Sequence, residues 1–348
     1  MNLIKLRPDL SESTKKNIYE YIRKYKLDDM LVMASSGTSN HAGDIIYFIP
    51  KKHMLKHAYE ICKHFEISKS SRIICVLPRF YMGSLSAFFR SEVSGAQFIK
   101  KKWDAPGLVG ELVDNDITHL SLVPTQVYDL CESKQKPNEN LKYCFVGGAK
   151  LSLEQRLHFL DLGWPLYETY GLTELCSQVA TSKSTKNQDG LEVLPFMDYK
   201  IDHEQRLCIK SDFHFSYKMI VGPSKVQFLE YDEFCDTDGY FRTSDIAQNS
   251  SARTIVINGR VDSNVKINSK FVNLLELERK ISLMDIGLSD YSYYLKTIKD
   301  DRAGHLLELV TLVDVDLEEL NEKLGFKISK VTIVESIPKT QSGKLIRL

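Results

Sequence analysis

The chain has 348 residues, of which 43% are apolar, and its 46 lysines and arginines are balanced by 46 aspartates and glutamates. That length holds one large domain or two unequal ones, and the apolar share is ordinary for a globular protein. A formal net charge of zero argues against nucleic acid or an anionic membrane as the main partner, because both favour a basic surplus.

Seven cysteines, Cys62, Cys75, Cys131, Cys144, Cys176, Cys208 and Cys235, are scattered without metal-ligand spacing. Several sit in apolar runs and read as reduced core residues of a cytoplasmic protein. The N-terminal residues lack the apolar stretch of a signal peptide. No segment approaches the roughly 20 apolar residues of a membrane span.

In chain order, residues 12–27 predict an amphipathic helix, with Ile18, Tyr19, Ile22 and Tyr25 at helical spacing. Residues 31–34 read as a short buried strand running into the small-residue loop Ser35 to Asn40. A helix over 53–65, a strand over 72–77 stopped by Pro78, and a helix over 85–93 follow. Lys100-Lys101-Lys102 is a local basic run that reads as a solvated face as readily as a patch. Residues 118–123 predict a strand ending at Pro124, with a helix from Thr125. A strand over 141–146 ends in Gly147-Gly148, and a helix covers 153–162. This alternation predicts an α/β fold with a mainly parallel sheet, and such folds place their sites at the strand ends.

From Gly190 to Asp245 short alternating segments, such as 199–202 and 206–209, predict antiparallel strands. A strand over 253–258 leads into Gly259-Arg260. Then come a helix over 274–283, strands over 291–296 and 306–313, a helix over 317–323 and a strand over 330–334. The whole reads as a large N-terminal domain over 1–258, a hinge over 259–262, and a small α+β C-terminal domain over 263–348.

Five short runs carry chemistry. Hydroxyls and free N–H groups in the loop of Ser35, Ser36, Gly37, Thr38 and Ser39 suit phosphate oxygens, although such a cluster also makes an ordinary turn. In Tyr167 to Glu174, Tyr170 suits stacking on a base and Thr173 suits a phosphate oxygen. Glu174 offers carboxylate oxygen to a hard ion such as Mg²⁺. A capped Tyr-Gly turn explains the same residues. In Asp238 to Asp245, Asp245 can accept two ribose hydroxyls at once, and Asp-Gly also marks a hairpin turn. In Asn258 to Asp262, Arg260 suits a second ribose or phosphate contact and Asp262 a hinge. Last, Ser342-Gly343-Lys344 puts an ammonium near the C-terminus, where an isolated lysine is normally solvated.

These runs, in this order and at these spacings, resemble the acyl-adenylate-forming superfamily over nearly the whole chain. Leu77 to Ser86, Ile117 to Thr125, and Thr173-Glu174-Leu175-Cys176-Ser177-Gln178 are most similar to its o-succinylbenzoate–CoA ligases of menaquinone synthesis. The resemblance implies a lid-type C-terminal domain and an ATP-dependent, Mg²⁺-assisted ligase that forms acyl-AMP and then acyl-CoA with coenzyme A. Its partners are small molecules, with no prosthetic group. It implies that Lys344 bridges carboxylate and α-phosphate, that Thr173 and Glu174 act in catalysis, and that Gly148, Tyr170 and Gly171 hold nucleotide. Arg90, Gly147 and Ser177 then face the acid, where Arg90 matches a second substrate carboxylate. A snorkelling surface arginine is the other reading of Arg90.

Departures from the family pattern are Asn40 for a glycine, no phosphate-loop lysine (Lys51 or Lys52 as substitutes), Ser244 before Asp245, and Ser269 on the pantetheine path. They keep two alternatives open. One is another aryl- or acyl-CoA ligase or adenylating enzyme; the other is a degenerate nucleotide-binding homologue without turnover. Only 34 residues precede the Ser35 loop, fewer than the family carries. The resemblance thus implies a shortened N-terminus, with a homodimer or partner chain covering the exposed surface.

Overall fold

The computed structural model describes residues 3–34, 44–185, 190–222, 225–261, 264–267, 270–284, 286–289, 292–300 and 304–338. Contacts divide the chain into two compact units. The first is 1–200, 208–242 and 250–255; the second is 201–207, 243–249 and 256–348.

The first unit begins with β1 (Ile4–Lys5), α1 (Glu12–Tyr25), β2 (Met30–Ala34) and β3 (Asp44–Pro50). Ser11 caps α1 by accepting the Thr14 N–H at 3.0 Å, a contact worth about 1 kcal/mol. The helix stops two residues short of expectation because Lys26 turns left-handed and its N–H bonds back to the Ile22 carbonyl. Ile18 and Ile22 are buried, while Tyr19 and Tyr25 are 48% and 42% exposed; Tyr25 still stacks on Phe228 with ring centres 4.8 Å apart.

Next come α2 (Lys51–His64), β4 (Arg72–Cys75), α3 (Met82–Ser94), β5 (Gln97–Lys100), α4 (Ala105–Asp114), β6 (His119–Leu122), α5 (Pro124–Glu132), β7 (Tyr143–Val146), α6 (Leu153–Asp161), β8 (Leu166–Leu172), β9 (Ser177–Lys183) and β10 (Leu191–Val193). They build a sheet in the order β10-β9-β8-β7-β6-β4-β5. The pairs β4–β5, β4–β6, β6–β7 and β7–β8 are parallel, as expected, and β8–β9 is antiparallel. One face is dry: Leu120, Leu122, Cys144, Val146 and Leu166 pack with Leu112, Leu130, Phe159 and Trp164. The seven cysteines are all unbonded and six are buried.

The strands β11 (Asp198–Ile201), β12 (Arg206–Lys210), β15 (Phe241–Ser251) and β16 (Thr254–Arg260) each have residues in both units. Between them, β13 (Tyr217–Val221) and β14 (Val226–Glu230) complete a second sheet of the first unit, ordered β1-β2-β3-β13-β14.

The second unit continues with the hairpin β17 (Asn264–Ile267) and β18 (Lys270–Asn273), then α7 (Leu274–Ser282), β19 (Tyr293–Asp300), β20 (Gly304–Thr311), α8 (Leu317–Leu324) and β21 (Lys330–Ile333). Leu277, Ile281, Leu295, Leu307, Leu309, Leu320 and Ile328 form its own core. The expected α+β order of helix, two strands, helix and strand is present.

Candidate functional site

The carboxyl ends of the parallel strands gather most of the expected residues of the first unit that are among the described residues. Gly147 and Gly148 follow β7 directly. A side chain on Gly147 would press to 3.0 Å on the Thr169 carbonyl in the neighbouring strand, so only glycine lets the two backbones lie this close. Tyr170 and Gly171 belong to β8, where the pairing with β9 slips between them. A Cβ on Gly171 would come within 2.8 Å of the Ser177 carbonyl carbon. The Tyr-Gly pair is thus a bulged strand, not a simple turn; glycine inside a strand commonly marks such a bulge.

Thr173 and Glu174 sit in the single 3-10 turn that follows β8. Tyr47 on β3 donates its hydroxyl to Glu174 Oε1 at 2.8 Å. The Glu174 carbonyl accepts the Phe215 N–H at 3.0 Å. Lys218, directly opposite Tyr47 in the β3–β13 register, lies 4.6 Å from the Phe234 ring centre. Burial lowers its pKa, while Glu174 pulls the other way. Neither Tyr47 nor Lys218 is a sequence-predicted site residue. Their signal is cross-strand pairing, which local pattern does not carry. A carboxylate oriented through one oxygen suits Mg²⁺, which takes one or two carboxylates plus phosphate oxygens. Among the described residues no group of three or more His, Cys, Asp or Glu side chains could enclose an ion.

Arg90 is not a snorkelling surface residue: on α3 it is 5% exposed. Its Nη2 donates to Gln178 Oε1 at 2.7 Å, and its guanidinium lies 5.2 Å above the Phe145 ring centre. Burial pushes its pKa down to about 10. Its Nε has no hydrogen-bond partner, and no carboxylate pairs with it, among the described residues. Ser177, at the start of β9, and Cys176 both have positive φ, 124° and 62°. That backbone turns Gln178 into the interior. His57 binds the Gln178 carbonyl through Nε2 at 2.9 Å. Since a carbonyl only accepts, the imidazole carries its proton on Nε2. Burial lowers the His57 pKa to about 4, opposed by this carbonyl and aided by Arg90.

Asp245 and Arg260 belong to the second unit. Asp245 is buried and Arg260 Nη1 stands 3.8 Å from its Oδ1. The Asp245 N–H donates to Thr243 Oγ1 at 3.0 Å. The Asp238-Gly239 turn is present, with the Asp236 N–H on the Tyr240 carbonyl at 3.0 Å. Ser35, Ser36, Gly37, Thr38, Ser39, Asp262, Ser269 and Lys344 lie outside the described residues. The Lys100 run is no free patch: Lys100 donates to the Leu77 carbonyl and Lys101 pairs with Glu111 at 2.6 Å. No helix among the described residues is long and apolar enough to cross a membrane.

The chain is similar to several known proteins. Residues 49–208 match the family model described as AMP-binding enzyme. Among individual proteins, the chain is 25% identical over 304 residues to a 2-succinylbenzoate–CoA ligase of Staphylococcus epidermidis, covering 79% of this chain and 60% of that protein. It is 24% identical over 353 residues to the 2-succinylbenzoate–CoA ligase of Staphylococcus aureus, covering 93% and 67%. The o-succinylbenzoate CoA synthetase of Bacillus subtilis, solved with AMP, superimposes with a TM-score of 0.76 at 18% identity, over 91% of this chain and 67% of that one. The same synthetase with its acyl-adenylate intermediate gives 0.76 at 19%. The structural likeness is one of fold. The chain spans about 60% of the length of the first of these ligases.

Proposed function

We propose that the protein is an ATP-dependent acid–CoA ligase whose acid is 2-succinylbenzoate, serving menaquinone synthesis. The carrying observation is the buried Arg90 guanidinium, held by a neutral amide and by no carboxylate among the described residues. A buried cation without a counter-charge is costly, and a substrate with a second carboxylate supplies that charge. The 2-succinylbenzoate–CoA ligases among its relatives support the same substrate.

In this reading the acid carboxylate attacks the α-phosphate of ATP and releases pyrophosphate. The thiol of coenzyme A then attacks the acyl-AMP, giving thioester and AMP. Thr173 and the loop from Ser35 to Ser39 bind phosphate oxygens. Tyr170 stacks on adenine beside Gly148 and Gly171, and Asp245 and Arg260 hold the ribose. Gly147, Ser177 and Arg90 line the acid site. Glu174, oriented by Tyr47, would hold Mg²⁺, which when bound neutralises phosphate charge. Lys344 bridges the two anions that otherwise repel and stabilises charge as pyrophosphate leaves. Residues 1–258 act as the adenylating domain and 263–348 as the domain that carries Lys344, turning about Asp262. A cytoplasmic location and a homodimer or partner chain belong to the same proposal.

The test is pyrophosphate release with ATP and 2-succinylbenzoate, compared with a panel of other aromatic acids, with and without coenzyme A. Release that depends on 2-succinylbenzoate is the expected result. Release with other acids alone reassigns the substrate. ATP binding without release from any acid favours the degenerate homologue, the outcome that Asn40 and the missing loop lysine would explain.

A further inference from the structure

The partner chosen for Arg90 is itself informative. Arginine only donates, so the Gln178 atom 2.7 Å from Nη2 must be the amide oxygen. The other end of that amide, Nε2, donates to Thr181 Oγ1. Thr181 thereby fixes which way the amide points, and His57 fixes the Gln178 backbone through its carbonyl. Gln178 and Arg90 are 3% and 5% exposed, so water does not substitute for either. A glutamate has the same shape as glutamine and would bind the guanidinium more strongly. It would also cancel the charge. Glutamine meets the geometric demand of the guanidinium and leaves the charge unspent.

We propose that Gln178 is a specificity-determining positioning residue. Its amide oxygen, oriented by Thr181, holds the Arg90 guanidinium in place without neutralising it, so that the pocket selects acids bearing a second carboxylate. The inference rests on the reading of Arg90 as part of the acid site. It adds that selectivity is set by the neutrality of residue 178 as much as by the arginine.

The experiment is calorimetric titration of the full chain with 2-succinylbenzoate and with 2-butyrylbenzoate, which keeps the aryl ketone and lacks the remote carboxylate. Wild type should prefer the dicarboxylate. Gln178→Glu should weaken 2-succinylbenzoate by on the order of 100-fold, the usual scale for losing a buried charge partner. It should leave 2-butyrylbenzoate within about twofold, since that ligand keeps one carboxylate and lacks the second, whose partner the substitution neutralises. Gln178→Met, uncharged and close in volume, should loosen the dicarboxylate by about tenfold while keeping the preference, and it guards against a fold lost in the charged variant. The inference is overturned if wild type binds both acids equally or neither, or if a folded Gln178→Glu keeps the preference. Pyrophosphate release, followed in parallel, separates the two readings. Discriminating binding without release counts against the ligase and leaves the role of Gln178 standing; release without discrimination does the reverse.

Discussion

His57 shows how a single buried side chain ties the site to stability. It is 1% exposed, flanked by the Phe196 and Phe213 rings, and sits near the Arg90 cation. All of this favours the neutral ring, with a folded pKa of about 4 against an ordinary 6.5. The folded pKa is depressed, so above pH 6.5 both folded and unfolded chains carry neutral His57. As pH falls below 6.5 the unfolded chain gains the proton first, and stability declines until about pH 4. The full difference is at most about 3 kcal/mol. His119 adds a second drop in the same window, since burial, chiefly, and Arg90 lower its pKa to about 4 as well. Urea unfolding at pH 7 and pH 5 should show the midpoint falling with acid. His57→Gln, which keeps a donor for the Gln178 carbonyl and cannot titrate, should flatten part of that slope. An unchanged slope would remove His57 from the account.

At the scale of elements, the bulge between β8 and β9 is the feature on which the site geometry turns. Gly171 has no room for a side chain against the Ser177 carbonyl. Gly171→Ala should therefore spread the two strands and destabilise the fold by about 1–3 kcal/mol. It should also displace Gln178 and Glu174, so acid binding should weaken along with the thermal midpoint. A variant with wild-type midpoint and binding would show that the strands can absorb a methyl group. Local pattern found most helices and parallel strands here, because helical spacing and apolar runs ended by Pro78 or Pro124 act through near neighbours. It missed β3, whose unbroken apolar run Ile45 to Ile49 has no alternation to tell strand from helix. It missed β5, only four residues long, and α4, which follows it. The bulge stayed hidden for another reason. Gln178 meets Arg90 across 88 positions of sequence, and nothing local to either residue announces the partnership. Gly147, Gly171 and Glu174 were legible as types; Tyr47, Thr181 and Lys218 became visible only through strand register and packing.

For the molecule as a whole, the ligase reading proposed above asks one active centre to perform two reactions with different needs. Adenylation brings a carboxylate to a triphosphate, and the two anions repel until a cation stands between them. Thioester formation begins after pyrophosphate has left, and it needs room for a thiol where that cation stood. A lysine fixed in the centre would serve the first reaction and obstruct the second. Our proposal assigns the cation to Lys344, in the C-terminal segment, because a group delivered by a separately folded domain can be withdrawn. The second unit has its own core around Leu295, Leu307 and Leu309. The two half-reactions should then respond differently to the same substitution. Lys344→Ala should lower acid-dependent pyrophosphate release by about 100-fold or more, the usual scale for losing a preorganised charge contact. It should spare conversion of supplied acyl-AMP to the thioester by coenzyme A. Measuring both rates on one preparation makes the comparison internal. Equal losses in both would mean that the substitution damages the fold or that Lys344 serves both steps, and unchanged pyrophosphate release would mean that another cation bridges the reacting anions.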